Sequence, residues 1–246
     1  MNMPKNHLGV GKKQVGFALN AFTLAEVLIT LVVIGVIAAI TVPMLMTSYK
    51  KQETVSRLKK VYSSFAQTTS RAVLDNGPVE SWDLTKGPEF FLDTYIAPYL
   101  DIEKNCEDSN LGDCEFKYKL ISGKEVYVSS GYWRKFFLRD GTRIAAHVEN
   151  SPTQEFSFIL VDINGLAKPN RMGRDVFAFI YFVNLASVNN YKGKFMPIYP
   201  NWKRDWLKDD TQVGCNRTNE YPTTANFACA ALIMNDGWEI KDDYPW

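Results

Sequence analysis

The sequence predicts an α+β protein in which a long N-terminal helix, apolar in its first half and amphipathic in its second, packs on an antiparallel β-sheet head. Three observations predict it. From Phe22 to Met46 the chain reads FTLAEVLITLVVIGVIAAITVPMLM, with Glu26 as the one charged residue. Beyond it, Val55, Leu58, Tyr62, Phe65, Thr69 and Val73 recur at spacings of three and four, the mark of a helix with one buried stripe. After Pro78, short runs rich in aromatic and β-branched residues alternate with turn signals.

Four regions follow from these patterns. Residues 1–21 carry Lys5, Lys12 and Lys13 and no acid. Residues 22–46 form a transmembrane segment: at ~1.5 Å per residue, Phe22 to Pro43 reaches about 30 Å, the thickness of a bilayer core. The lysines ahead of it keep the N-terminus cytoplasmic and send the rest across. The apolar run is too long for an ordinary secretory signal and leads into the amphipathic continuation, residues 47–75, with Asn76-Gly77-Pro78 as the helix stop. Residues 76–246 form the head.

Within the head, PEFFLDTYIAPYL (Pro88 to Leu100) reads as a short helix ended near Pro98. Strand-like runs follow at 116–121, 125–128, 136–138, 143–148, 155–163 and 175–183, with Asp140-Gly141 as a hairpin signal between the third and fourth. The stretch Ala225 to Asn235 reads as a helix stopped by Gly237. Cys106, Cys114, Cys215 and Cys229 lack C-x-x-C spacing and have one histidine, His147, beyond the first 21 residues, which argues against zinc. Their even number in a translocated domain predicts two local disulfides, Cys106–Cys114 and Cys215–Cys229.

The net charge of +1, and the slightly acidic balance left without residues 1–21, give no electrostatic reason for a nucleic-acid partner. Catalysis finds little support: His147 is the one base available to a nucleophile, it sits in a strand-like run, and phosphate-loop, dinucleotide and zinc-hydrolase motifs are missing from the sequence.

Glu26 needs a reason, because an ionised side chain within a bilayer costs about 3 kcal/mol. A snorkelling interfacial acid is one. A salt link to a newly exposed amine on a neighbouring subunit is the other, and it requires cleavage just before Phe22. The segment Ala21-Phe22-Thr23-Leu24-Ala25-Glu26, with Val27-Leu28-Ile29 and then Gly35 and Pro43, resembles the cleavage and methylation segment of type IV prepilins and type II secretion pseudopilins.

That resemblance implies a pilin-like fold and a prepilin peptidase that cuts between Ala21 and Phe22 and methylates the new amine. Ala21 stands where the family usually has Gly. It also implies an inner-membrane assembly platform, other pilin subunits and membrane lipid as partners, and Glu26, Gly35 and Pro43 as assembly residues. Gly35 and Pro43 weaken the helix between them, so it can extend in a fibre or simply kink in a membrane.

Two head motifs invite function. In VDINGLAKPNRMGRDVF (161–177), Asp162, Asn164 and Asp175 offer oxygens suited to Ca²⁺, and pseudopilins of the secretion type often carry calcium in head loops. The other reading is a turn in which Asp and Asn cap their own backbone and Gly165 and Gly173 take left-handed geometry. FMPIYPNWKRDWLKDD (195–210) alternates aromatics with charges, as a sugar or partner loop or as core-edge packing. The head is large for a major pilin, so the expected function is a minor pilin or pseudopilin and not an enzyme. The alternatives are a pilus-tip adhesin and a membrane-anchored extracytoplasmic enzyme.

Overall fold

The structure is a computed structural model that describes residues 23–106, 112–128, 132–151, 154–185, 193–221 and 223–246. The described residues fall in two units, 23–47 and 48–246. Helix α1 runs Leu24–Asn76 and ends where the sequence marks a stop, with Gly77 at φ +79° donating its N–H to Val73 O at 3.0 Å. A left-handed glycine after the last helical residue takes up a carbonyl that the helix leaves open.

In the first unit every described residue is exposed except half-buried Ala38. In the second unit α1 turns one stripe inward: Thr54, Val55, Leu58, Val61, Phe65, Thr68, Thr69 and Ala72 are buried. Tyr62 and Val73 pack at the edge of that stripe.

The head adds α2 (Gly87–Tyr95), α3 (Arg204–Asp209), α4 (Cys229–Asn235) and eight strands. The strands are β1 (Ile102–Cys106), β2 (Phe116–Lys119), β3 (Glu125–Val128), β4 (Arg134–Leu138), β5 (Arg143–Ser151), β6 (Gln154–Asp162), β7 (Val176–Leu185) and β8 (Phe195–Pro197). Six of them make one antiparallel sheet in the order β1-β4-β5-β6-β7-β8, while β2 and β3 pair in a separate ribbon. The Asp140-Gly141 hairpin forms, closed by Leu138 N–H to Thr142 O at 2.8 Å, with Gly141 at φ +85°.

Both faces of the large sheet are covered. Alternate residues of β7 point to opposite sides. Phe177, Phe179, Tyr181 and Val183 join α1, α2 and α4 in one core, and Val176, Ala178 and Ile180 join Phe116, Tyr118 and Val128 of the ribbon in a second. The sequence reading put β2 and β3 in the main sheet. They lie across its far face instead, because period-two alternation marks a half-buried strand without saying which sheet it joins.

The helix is joined to the sheet by a stack of rings. Phe65 lies 4.6 Å from Phe195, which lies 4.8 Å from Phe179, both pairs near parallel. Beside them the buried Thr69 Oγ1 and Tyr181 Oη are 2.6 Å apart, so the phenol has a polar partner inside the core.

Candidate functional site

Ala21 and Phe22, the expected cleavage and methylation residues, lie outside the described residues. Glu26 is described, and it closes on its own helix. Its carboxylate accepts the Thr23 N–H at 2.8 Å and the Thr23 hydroxyl at 2.9 Å, while the Glu26 N–H donates to Thr23 Oγ1 at 3.2 Å. This is a capping box, in which an N-cap threonine and a glutamate three residues on satisfy each other's orphan donors. The T-x-x-E spacing was readable from sequence, and the sequence reading of Glu26 passed over it.

The apolar segment needs few polar partners. The hydroxyls of Thr30, Thr41 and Thr47 donate to Val27 O, Ile37 O and Pro43 O at 2.9–3.0 Å, so each is satisfied within its own helix. That is what hydrocarbon demands of a buried hydroxyl. Pro43 sits inside α1, removing one helical N–H donor. Gly35 has no atom within 4 Å of where a Cβ would stand, so packing within this chain does not require its smallness. Among the described residues, one helix is long and apolar enough to cross a membrane.

Both disulfides take the local pairing: Cys106–Cys114 joins the end of β1 to a short turn, and Cys215–Cys229 staples a loop to the start of α4. The Asp162, Asn164 and Asp175 side chains are also brought together. Asp175 is 3% exposed and accepts the backbone N–H of Asn170 at 2.7 Å and of Arg171, plus the Asn164 amide at 3.2 Å. Gly165 and Gly173 adopt φ +69° and +79°, and a Cβ on Gly165 would stand 2.3 Å from Gly141 O.

Calcium fits this arrangement poorly. Three N–H groups already point at Asp175, and the Arg143 guanidinium, itself buried, stands 3.7 Å from Asp162 Oδ2. Asp162 Oδ2 and Asn164 Oδ1 are enclosed without hydrogen-bond partners. A cation reaching those two oxygens would meet Arg143. Burial, and then the charge of Asp175, push the Asp162 carboxyl up to about 8 against the pull of Arg143. Burial also raises Asp175, opposed by the Arg171 and Asn170 N–H groups. Among the described residues no group of three or more His, Cys, Asp or Glu is placed to hold a metal ion. The loop works as a buried brace.

The aromatic segment divides its roles. Phe195 is core, Tyr199 and Trp202 stack at 4.1 Å at the core edge, and Trp206 is 61% exposed. His147 donates from Nδ1 to Tyr132 O at 2.8 Å and packs 5.3 Å from Trp133, so it has structural work in β5.

The fold and these elements define a single apolar helix carrying a disulfide-bearing α+β head. The chain belongs to a family of unknown function, DUF6613, whose profile matches residues 44–246. The match covers the whole described head and leaves out most of the apolar segment. Among curated proteins and among solved structures, nothing matches the chain.

Proposed function

We propose that this chain is a minor pilin or pseudopilin, a subunit of a type IV pilus or a type II secretion pseudopilus that is assembled through its N-terminal helix. One observation carries the reading: α1 leaves an entire apolar half exposed, with a single acid, Glu26, in its first turn. Exposed Leu, Ile and Val over that length need lipid or neighbouring helices. A signal anchor would need the lipid alone and would use Glu26 only as the cap of its own helix.

In the proposed mechanism the precursor waits in the inner membrane with its N-terminus cytoplasmic and its head on the far side. The two disulfides suit that oxidising location. The capping box lowers the cost of holding Glu26 near the interface. Cleavage before Phe22 frees an amine next to Thr23, and the incoming subunit's amine then competes with Thr23 for the carboxylate. No catalytic role is assigned to the chain.

The test is the N-terminus of the protein extracted from its native membrane. Intact mass or N-terminal sequencing is expected to show a chain that starts at Phe22 and is N-methylated. A chain that still starts at Met1, or one cut beyond Met46, would remove the basis of the proposal.

A further inference from the structure

The β2–β3 ribbon and residues 168–171 line an open cavity of about 440 Å³ on the head. Small-molecule sites span ~300–1,000 Å³, so the cavity is the right size for a ligand of one or two rings. Its second wall is laid beside β2 by backbone pairing: Lys119 donates to Asn170 O at 2.7 Å, and Met172 donates to Lys119 O at 2.8 Å. This brings Lys119 and Arg171 into parallel register, and residues paired in register share a face.

Four of the lining side chains are cations, Lys117, Lys119, Lys168 and Arg171, against one carboxylate, Glu125. Two have carboxylate partners at the surface, Lys117 with Glu115 at 2.9 Å and Lys119 with Glu125 at 3.3 Å. Exposed pairs of this kind are weak and exchange readily. Lys168 and Arg171 make no ion pair among the described residues. Arg171 is half-buried, and its Nε is enclosed without a hydrogen-bond partner.

Asp175 turns its carboxylate to the backbone N–H groups of Asn170 and Arg171. It shapes the loop and leaves the guanidinium free. Arg171 faces further positive charge: Arg174 is held below its ordinary pKa by burial and then by Arg171 itself. A planar fork with unused donors, in a wall of excess positive charge, is matched by a carboxylate or phosphate.

We propose that this cavity binds a small oxyanion ligand, a carboxylate or phosphate carried on a sugar-sized body, with Arg171 and Lys168 holding the anion. A bare ion leaves most of the volume unfilled, so the body of the ligand contributes to binding as well. The inference rests on the head alone and stands apart from how the chain is assembled.

The test uses the full chain in a nonionic, sugar-free detergent, titrated calorimetrically with galacturonate, glucose 6-phosphate, inorganic phosphate and neutral galactose. Either charged sugar should bind, inorganic phosphate should bind more weakly than glucose 6-phosphate, and galactose should not bind. Arg171→Gln and Lys168→Gln should each weaken binding about tenfold, the loss of one charge-assisted contact. Lys168 is exposed, so its variant tests the site even if Arg171→Gln misfolds. Glu125→Gln should strengthen binding about threefold by releasing Lys119. The proposal is overturned if neither charged sugar binds at millimolar concentration, if galactose or bare phosphate binds as well as they do, or if both cation variants bind like the parent.

Discussion

Replacing Phe65 with alanine tests the junction between the helix and the sheet. Phe65 is 0% exposed and stacks at 4.6 Å on Phe195, whose other face lies against Phe179. Deleting a buried phenyl ring costs about 3–5 kcal/mol, with roughly 0.5–1.5 of that from the lost stacking. The Phe65 carbonyl also accepts the Thr69 hydroxyl at 2.7 Å, a backbone contact that alanine retains, so the loss comes from the ring. Against a typical stability of about 5–15 kcal/mol, the variant should fold but unfold early.

Urea titration of the full chain in detergent, followed by tryptophan fluorescence, should show a midpoint lowered by about 1–2 M for a slope near 3 kcal/mol per M. Leu74→Ala is the control, since Leu74 lies on the same helix and is 84% exposed. It should stay within about 0.5 kcal/mol of the parent. An unchanged midpoint for Phe65→Ala, or an equal loss for Leu74→Ala, would refute the assignment of that stripe to the core.

The buried brace makes two further predictions. Because the Asp162 carboxyl is raised from its ordinary 3.8 to about 8 in the folded state, the folded chain holds a proton that the unfolded chain releases between those values. Its contribution to stability is therefore full below about pH 4 and is lost as pH rises through about 8. Asp162→Asn, which mimics the protonated form, should flatten that slope in thermal melts from pH 5 to 8, and an equal slope in both proteins would reject the protonated brace. Millimolar calcium should leave the melting temperature unchanged, because N–H groups and Arg143 occupy the approaches to the carboxylates; a rise of several degrees would show that the loop binds the ion after all.

Much of the fold was legible because it depends on patterns that survive in one dimension. The helix length, its buried stripe, its stop at Asn76 and the hairpin at Gly141 all follow from periodicity and turn chemistry. The disulfide partners were legible because each pair is close in sequence. What escaped depends on partners far along the chain. Strand β1, IEKNC, has no apolar alternation and is a strand only because β4 pairs with it. Strand β8 is three residues long, too short for any period.

The long apolar runs of β6 and β7 did hold the clue that both sheet faces are covered. At the candidate sites, the sequence left Asp175 open between a calcium ligand and a turn cap, because its use depends on N–H groups aimed by the loop backbone. The basic cavity was invisible because Lys117 and Lys119 meet Lys168 and Arg171 only through pairing between β2 and that loop. Thr23 was missed for the opposite reason. Its partner is three residues away, and a contact that local explains Glu26 without any neighbouring chain.

That local partner sets the most direct test of assembly, because Glu26 now has two explanations that one pair of substitutions separates. Glu26→Gln keeps a side chain able to close a capping box but removes the charge, whereas Glu26→Ala removes both. Neither should impair membrane entry, since losing an intramembrane charge lowers the insertion cost by up to about 3 kcal/mol. The measurement is incorporation of each variant into sheared filaments or crosslinked oligomers, normalised to its membrane level. The account predicts that both variants insert normally and that both lose incorporation, because the carboxylate charge itself meets the next subunit's amine. Incorporation of Glu26→Gln at the parental level would contradict it, and would leave Glu26 as the cap of its own helix.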